Sequence, residues 1–201
     1  EVYRESRSDT RVIALSFNRF EPHQVFMAES GGDLLESTDG GVSWNVVNRF
    51  GRPLANLIVD QFTPGVMYVV TKKSGFFRSE DGGATWVGRS RTFEDFPGSR
   101  EYRRLIMHPT KPDTLYWIST YGILVSDNRG NAWKPIDLIT PPGSAQIYGF
   151  AINPKNDQEM YYTATINKRS TFYKTEDGGR NWITKKMPSG QIPTALYVHR
   201  E

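Results

Sequence analysis

The stretch "STDGGVSW" runs from Ser37 to Trp44, and "SEDGGATW" runs from Ser79 to Trp86. Looser copies follow: "SDNRGNAW" from Ser126 to Trp133 and "TEDGGRNW" from Thr175 to Trp182. The four tryptophans are 42, 47 and 49 residues apart. A period in the forties calls for a repeat architecture. The text upstream of each copy repeats too: an apolar strand, a Pro-containing turn, and a second strand with an aromatic at Phe26, Tyr68, Tyr116 and Tyr161. A short third strand comes next. The octapeptide then turns the chain into a fourth strand beginning at the Trp. Its Asp-Gly-Gly core is hairpin chemistry, so each unit reads as a four-stranded antiparallel meander.

Four short strands in every 40–50 residues make one blade of a β-propeller. Helical periodicity is absent, and the fold class expected is all-β, a single propeller segment of about four blades. The units span residues 11–50, 54–92, 103–138 and 146–187. Residues 191–201 read as the opening strand of a fifth unit, and residues 1–5 as the closing strand of a preceding one. A dangling first strand argues for a segment of a larger propeller of six to eight blades, completed by residues outside this sequence or by another chain.

Bulk properties agree with that class. The chain has 201 residues, of which 37% are hydrophobic and 13% aromatic, enough apolar surface for a real core. No run of apolar residues is long enough to span a membrane as a helix. The absence of cysteine excludes disulfides and thiolate metal sites. A formal net charge of +3 is too weak to imply a nucleic-acid partner.

The octapeptide reads as a fastener. Gly41, Gly83, Gly130 and Gly179, with the glycines before three of them, supply the positive φ of a tight reversal. Ser37, Ser79, Ser126 and Thr175 carry hydroxyls that can bond the turn, and the side chains of Asp39, Asp81, Asn128 and Asp177 can accept its amides. Trp44, Trp86, Trp133 and Trp182 each offer a large ring to the packing between blades. Asn128 keeps the acceptor and loses the charge, which a turn cap tolerates and a catalytic carboxylate does not. The Asp-x-Asp-x-Asp-Gly spacing of a calcium loop is absent, so no metal or other cofactor is expected.

The pattern Ser/Thr-x-Asp-x-Gly-x-x-Trp resembles the Asp-box, or bacterial neuraminidase repeat. That repeat occurs in sialidases, sortilin-type receptors, xyloglucan-active glycosidases and the photosystem II assembly factor family. The resemblance covers residues 12–200 and is strongest to bacterial exported proteins similar to the assembly factor. It implies a propeller, and an exported envelope or surface protein. It also implies an arginine-rich surface that docks a membrane-protein partner, although it assigns no arginine positions here.

Two functional readings follow. The enzyme reading needs paired carboxylates or an equivalent constellation. Asp60 and the pair Glu94-Asp95 are the acids outside the octapeptides in suggestive places. Asp60 has Asn18, His108 and Asn153 as its repeat equivalents, the signature of a turn cap. The three histidines, His23, His108 and His199, sit at or beside one repeated turn or its equivalent, which is repetition and not a triad. The chain is therefore expected not to be an enzyme, the alternative being a glycan-binding or glycoside hydrolase propeller.

The binding reading follows the charges. Loops at the octapeptide end of the blades hold eleven acids against five bases, whereas loops at the opposite end hold eleven bases against six acids. A protein partner is expected on that basic face, centred on the long connection "GRSRTFEDFPGSREYRR" from Gly88 to Arg104. Arg89, Arg91 and Arg100 would supply charge there, and Phe93 and Phe96 apolar anchors. Lys72, Lys73 and Tyr121 would join from neighbouring loops, with Lys168 and Arg169 from the fourth unit.

Overall fold

Sixteen strands form four separate four-stranded antiparallel sheets in the computed structural model, which describes residues 10–73, 75–188, 191–193 and 195–198. Helix is limited to one short 3-10 turn over Ser90–Phe93 among the described residues. The first sheet contains β1 (Val12–Phe17), β2 (Val25–Glu29), β3 (Asp33–Ser37) and β4 (Asn45–Arg49). The second contains β5 (Leu54–Val59), β6 (Met67–Thr71), β7 (Gly75–Ser79) and β8 (Val87–Gly88). In the third are β9 (Tyr102–Met107), β10 (Leu115–Ser119), β11 (Ile123–Ser126) and β12 (Lys134–Pro135). The fourth has β13 (Gln146–Asn153), β14 (Asn156–Ile166), β15 (Arg169–Thr175) and β16 (Ile183–Lys186). Each sheet pairs its strands in chain order. Where the sequence reads as one domain, residues through Arg91 gather into one unit and those from Thr92 onward into a second.

The strand sequences explain the packing within each unit. In the first unit, Leu57, Val69 and Phe77 stand opposite one another across β5, β6 and β7, so they share a face. That face packs with Phe26, Ala28 and Leu34 of the first sheet. Phe50, in the connection between the sheets, wedges edge-on against Phe77 and Trp86, both at 5.2 Å. In the second unit, Phe150, Tyr162 and Tyr173 form the matching row and meet Tyr116, Ile118 and Ile123 of the preceding sheet. Burying an aliphatic or aromatic side chain of this size contributes about 1.5–3 kcal/mol. These rows therefore hold the two blades of each unit together.

The octapeptides are fasteners in detail. The amide of the second glycine-position residue donates to the Ser or Thr hydroxyl at 2.7–3.0 Å in all four copies, from Gly41, Gly83, Gly130 and Gly179. The same hydroxyl donates to Asp39, Asp81, Asn128 or Asp177. One further amide bond stitches each hairpin to the turn between the first and second strands or, in the fourth copy, to the start of the second strand: Gly40 to His23, Gly82 to Gly65, Arg129 to Asp113 and Gly178 to Gln158. Arg129 holds φ 59° in place of a glycine, and its guanidinium pairs with the Asp113 carboxylate. A second substitution is matched to the first. Where the box carries Asp, its second oxygen takes a side-chain donor from Ser43, Thr85 or Asn181. Where it carries Asn128, that partner is Ala132, which offers none, and only the Ala132 amide bond remains.

Three of the four octapeptide Trp side chains reach back to the connection that leads into their own blade. Trp86 packs on Phe50, Trp133 donates its Nε1–H to the Thr92 hydroxyl at 3.1 Å, and Trp182 donates to the Asp137 carbonyl at 2.9 Å. The Trp44 indole N–H bonds the Gly41 carbonyl of its own hairpin. The fourth strands start one residue after the Trp, not at it, and β8 and β12 are only two residues long.

One irregularity recurs in every sheet. The first strand carries an extra residue near its start: Ile13 in β1, Ala55 in β5, Arg103 in β9, and the Tyr148–Gly149 step opposite Thr163 in β13. A bulge adds local twist and re-aims the side chain it carries. The expected opening strand of a fifth unit has no ladder partner among its described residues, although Leu196 lies against Gly149 of β13. The expected closing strand of a preceding unit, residues 1–5, lies outside the described residues.

Candidate functional site

A concavity in the second unit opens at the end of the blades opposite the octapeptides. It is a cleft of about 880 Å³. Its wall is built from the β10–β11 loop (Thr120), the β14–β15 turn (Asn167, Lys168), the connection into β13 (Gly143 to Gln146) and the edge of β9 (Glu101, Arg103). Thr165, Ile166, Gln191 and Ile192 complete it. Two cations therefore share the cleft with one carboxylate, and Ile166 and Ile192 bring exposed aliphatic surface.

Local structure sets each charged group. The bulge in β9 throws Arg103 sideways, where its guanidinium lies over the Tyr148 ring at 4.4 Å. Tyr148 is itself the bulge residue of the next first strand. Arg103 Nη2 donates to the Thr120 hydroxyl at 3.4 Å, while Nε and Nη1 are closed off from solvent with no acceptor. Thr120 in turn donates to Glu101 at 2.9 Å. Asn167 and Lys168 form the two-residue turn closing β14 and β15, both with positive φ (49° and 62°). That is a type I′ geometry, which suits Asn and is costly for Lys.

Of the residues predicted from sequence, Lys168 lines this cleft, and Arg169 leaves the same turn on the side of a second hollow. The long connection behaves differently from expectation. Phe93 is buried, 1% exposed, with its ring 4.3 Å from Trp117 and 5.1 Å from Trp133. It is a plug under the third sheet rather than an exposed anchor. Ser99, also buried, donates to the Phe93 carbonyl, and its own carbonyl accepts the Trp117 indole N–H at 2.8 Å. A chain of turns from Phe93 to Glu101 results, not a loose tip. Phe96 is half-buried, edge-on to Tyr121 at 5.3 Å. Arg91 and Arg100 are exposed, the latter 3.9 Å from Glu94, and Arg89 is half-buried. In the first unit Lys72 and Lys73 are exposed on the β6–β7 loop, with Lys73 at φ 63°. Arg103 was missed because it reads as part of an apolar strand. The doubled Arg103-Arg104 ahead of "LIM" was its one visible signal.

The octapeptide end is chemically quieter. Asp39, Asp81 and Asp177 are held below the ordinary carboxylate range, the last two to about 2, chiefly by the side chains and amides of Ser43, Thr85 and Asn181. Asp60 accepts the Phe62 and Thr63 amides at 2.7 and 2.9 Å, and Asn18, His108 and Asn153 do the same work in their turns. His108 uses Nδ1 for this, so the acceptor nitrogen is unprotonated. Burial lowers its pKa, nearby Lys111 adds to that, and Asp157 opposes it. Among the described residues no cluster of three or more His, Asp or Glu forms a metal site.

Comparison with known proteins agrees with this architecture. The family model described as "Sortilin, neurotensin receptor 3" (Sortilin-Vps10) matches residues 32–122. A curated relative, the probable oligoxyloglucan-reducing end-specific xyloglucanase of Neosartorya fischeri, is 31% identical over 66% of this chain and 17% of its own length. Among solved structures, an ancestral GH74 enzyme superposes with TM-score 0.69 at 19% identity, over 87% of this chain and 25% of the other. YCF48 from Cyanidioschyzon merolae gives 0.66 at 19%, over 93% and 59%. A structure of YCF48 bound to D1 peptide gives 0.58 at 14%, over 90% and 69%. The fold is that of β-propeller blades. This chain spans about a fifth or less of the length of the curated xyloglucanases it matches. Its neighbours include both enzymes and a peptide-bound protein, so the function must come from the site.

Proposed function

We propose that these blades belong to a larger propeller that works as a non-enzymatic docking scaffold for a protein partner. Recognition falls to the loop face opposite the octapeptides. The observation that carries this reading is the composition of the cleft: Arg103 and Lys168, aliphatic borders and a single carboxylate. A glycoside hydrolase requires two carboxyl groups about 5–10 Å apart, and among the described residues of that wall Glu101 has no second acid beside it. The peptide-bound state of YCF48 fits protein docking at the level of fold. Export to the bacterial envelope is part of the same reading and rests on the repeat's resemblance to exported proteins.

A second reading has its own support, since the curated relatives are xyloglucanases. One experiment separates them. The 201-residue protein is passed over immobilised peptides of graded charge and, in parallel, incubated with xyloglucan. Docking predicts salt-sensitive capture of acidic peptides, weakened by Lys168→Glu, and no new reducing ends. Xyloglucan cleavage without peptide capture would overturn it.

A further inference from the structure

We propose that the cleft between the third and fourth sheets takes one carboxylate side chain of an extended acidic peptide, seated between Arg103 and Lys168. This rests on the protein-docking reading and names the group that is recognised. Arg103 makes no ion pair among the described residues. Its positive charge has an aromatic face, one long bond to Thr120, and two nitrogens cut off from water without acceptors. A guanidinium without an anion is costly, and a carboxylate arriving on the cleft side of Arg103 offsets its charge, the two enclosed nitrogens staying beyond the ligand's reach.

Glu101 does not fill the role, because its carboxylate accepts from the Thr120 hydroxyl, which lies between it and Arg103. It does bias the choice of ligand. With Arg103 and Lys168 it leaves the wall one formal positive charge, which a singly charged carboxylate balances and a phosphate dianion would exceed. Lys168 stands on a turn whose φ a lysine adopts only at a cost, and that turn keeps its ammonium exposed at the rim. Ile166 and Ile192, 38% and 41% exposed, give a peptide's own apolar side chains somewhere to lie. The Gln146 side chain in the same wall carries an amide of the kind that a peptide backbone bonds.

The test uses four probes: an N-acetylated, C-amidated octapeptide with one central Asp, its Asn counterpart, its phosphoserine counterpart, and trigalacturonate. NMR follows the Arg103 Nε–Hε resonance during titration. The Asp peptide is expected to shift that resonance saturably, with the Asn peptide about tenfold weaker. Lys168→Gln, an exposed turn change, should weaken the Asp peptide by about fivefold with the melting midpoint unchanged. Arg103→Gln, followed instead by its backbone amide shifts, which also check its fold, should abolish the preference for Asp over Asn. Equal binding of the Asp and Asn peptides, or tighter binding of phosphoserine, overturns the carboxylate site and leaves docking standing. If neither peptide binds while trigalacturonate saturates the cleft, docking and the carboxylate proposal fail together.

Discussion

At the scale of single residues, the four octapeptides make the chain its own comparison series. Asp81 and Asp177, with folded pKa values near 2, ionise more readily folded than unfolded, where an Asp sits near 4. Their contribution is therefore complete above about pH 4 and is lost as pH falls from 4 toward 2. Carbonyl NMR should find both carboxylates titrating near pH 2, and Asn128→Asp, lacking a side-chain donor at Ala132, titrating closer to the ordinary value. His108 has the opposite chemistry and the same direction. Its lowered pKa means that the unfolded state takes up the proton first, so stability falls as pH drops below about 6.5. A histidine titration midpoint at or above 6.5 would show that its Nδ1 does not hold the turn. Lys168→Gly, which relieves a positive φ, should raise stability by roughly 0.5–1 kcal/mol, and denaturant melts would read it.

Among the elements, the bulges and the connections carry what regular strands cannot. Trp133→Ala should cost about 3–5 kcal/mol, because its ring is 6% exposed and holds Phe93 and Thr92 in place. Phe93→Ala belongs to the same range. Gly149→Ala should cost about 1–3 kcal/mol, since a methyl there would stand 2.6 Å from the buried Thr163 hydroxyl and 3.2 Å from Leu196. Urea unfolding checks all three. These elements also mark where sequence reasoning stops. The strands and hairpins were legible because alternation and Asp-Gly-Gly turns are local signals. That Asp60, Asn18, His108 and Asn153 are one kind of cap was legible from their shared position. The fate of Phe93 was not. A phenylalanine in a charged connection reads as an anchor until the fold puts Trp117 and Trp133 beside it. Arg103 escaped for the converse reason: a one-residue bulge, invisible in the alternation pattern, turns it toward the cleft.

On the scale of the molecule, the repeat separates two jobs between the two ends of a blade. At one end of each blade is a hairpin whose polar groups are spent on its own turn and the neighbouring one. At the other end, loops of unequal length leave cations such as Lys168 uncommitted and, in the second unit, enclose the cleft. The division is testable within the fourth blade alone, where Asp177 and Lys168 lie at opposite ends. The decisive measurement pairs a thermal melt with acidic-peptide affinity for Asp177→Ala and Lys168→Glu. The prediction is that Asp177→Ala lowers Tm and leaves affinity intact, whereas Lys168→Glu leaves Tm intact and lowers affinity by about tenfold. An Asp177→Ala protein that melts normally but no longer binds, beside a Lys168→Glu protein that binds normally, would contradict the account.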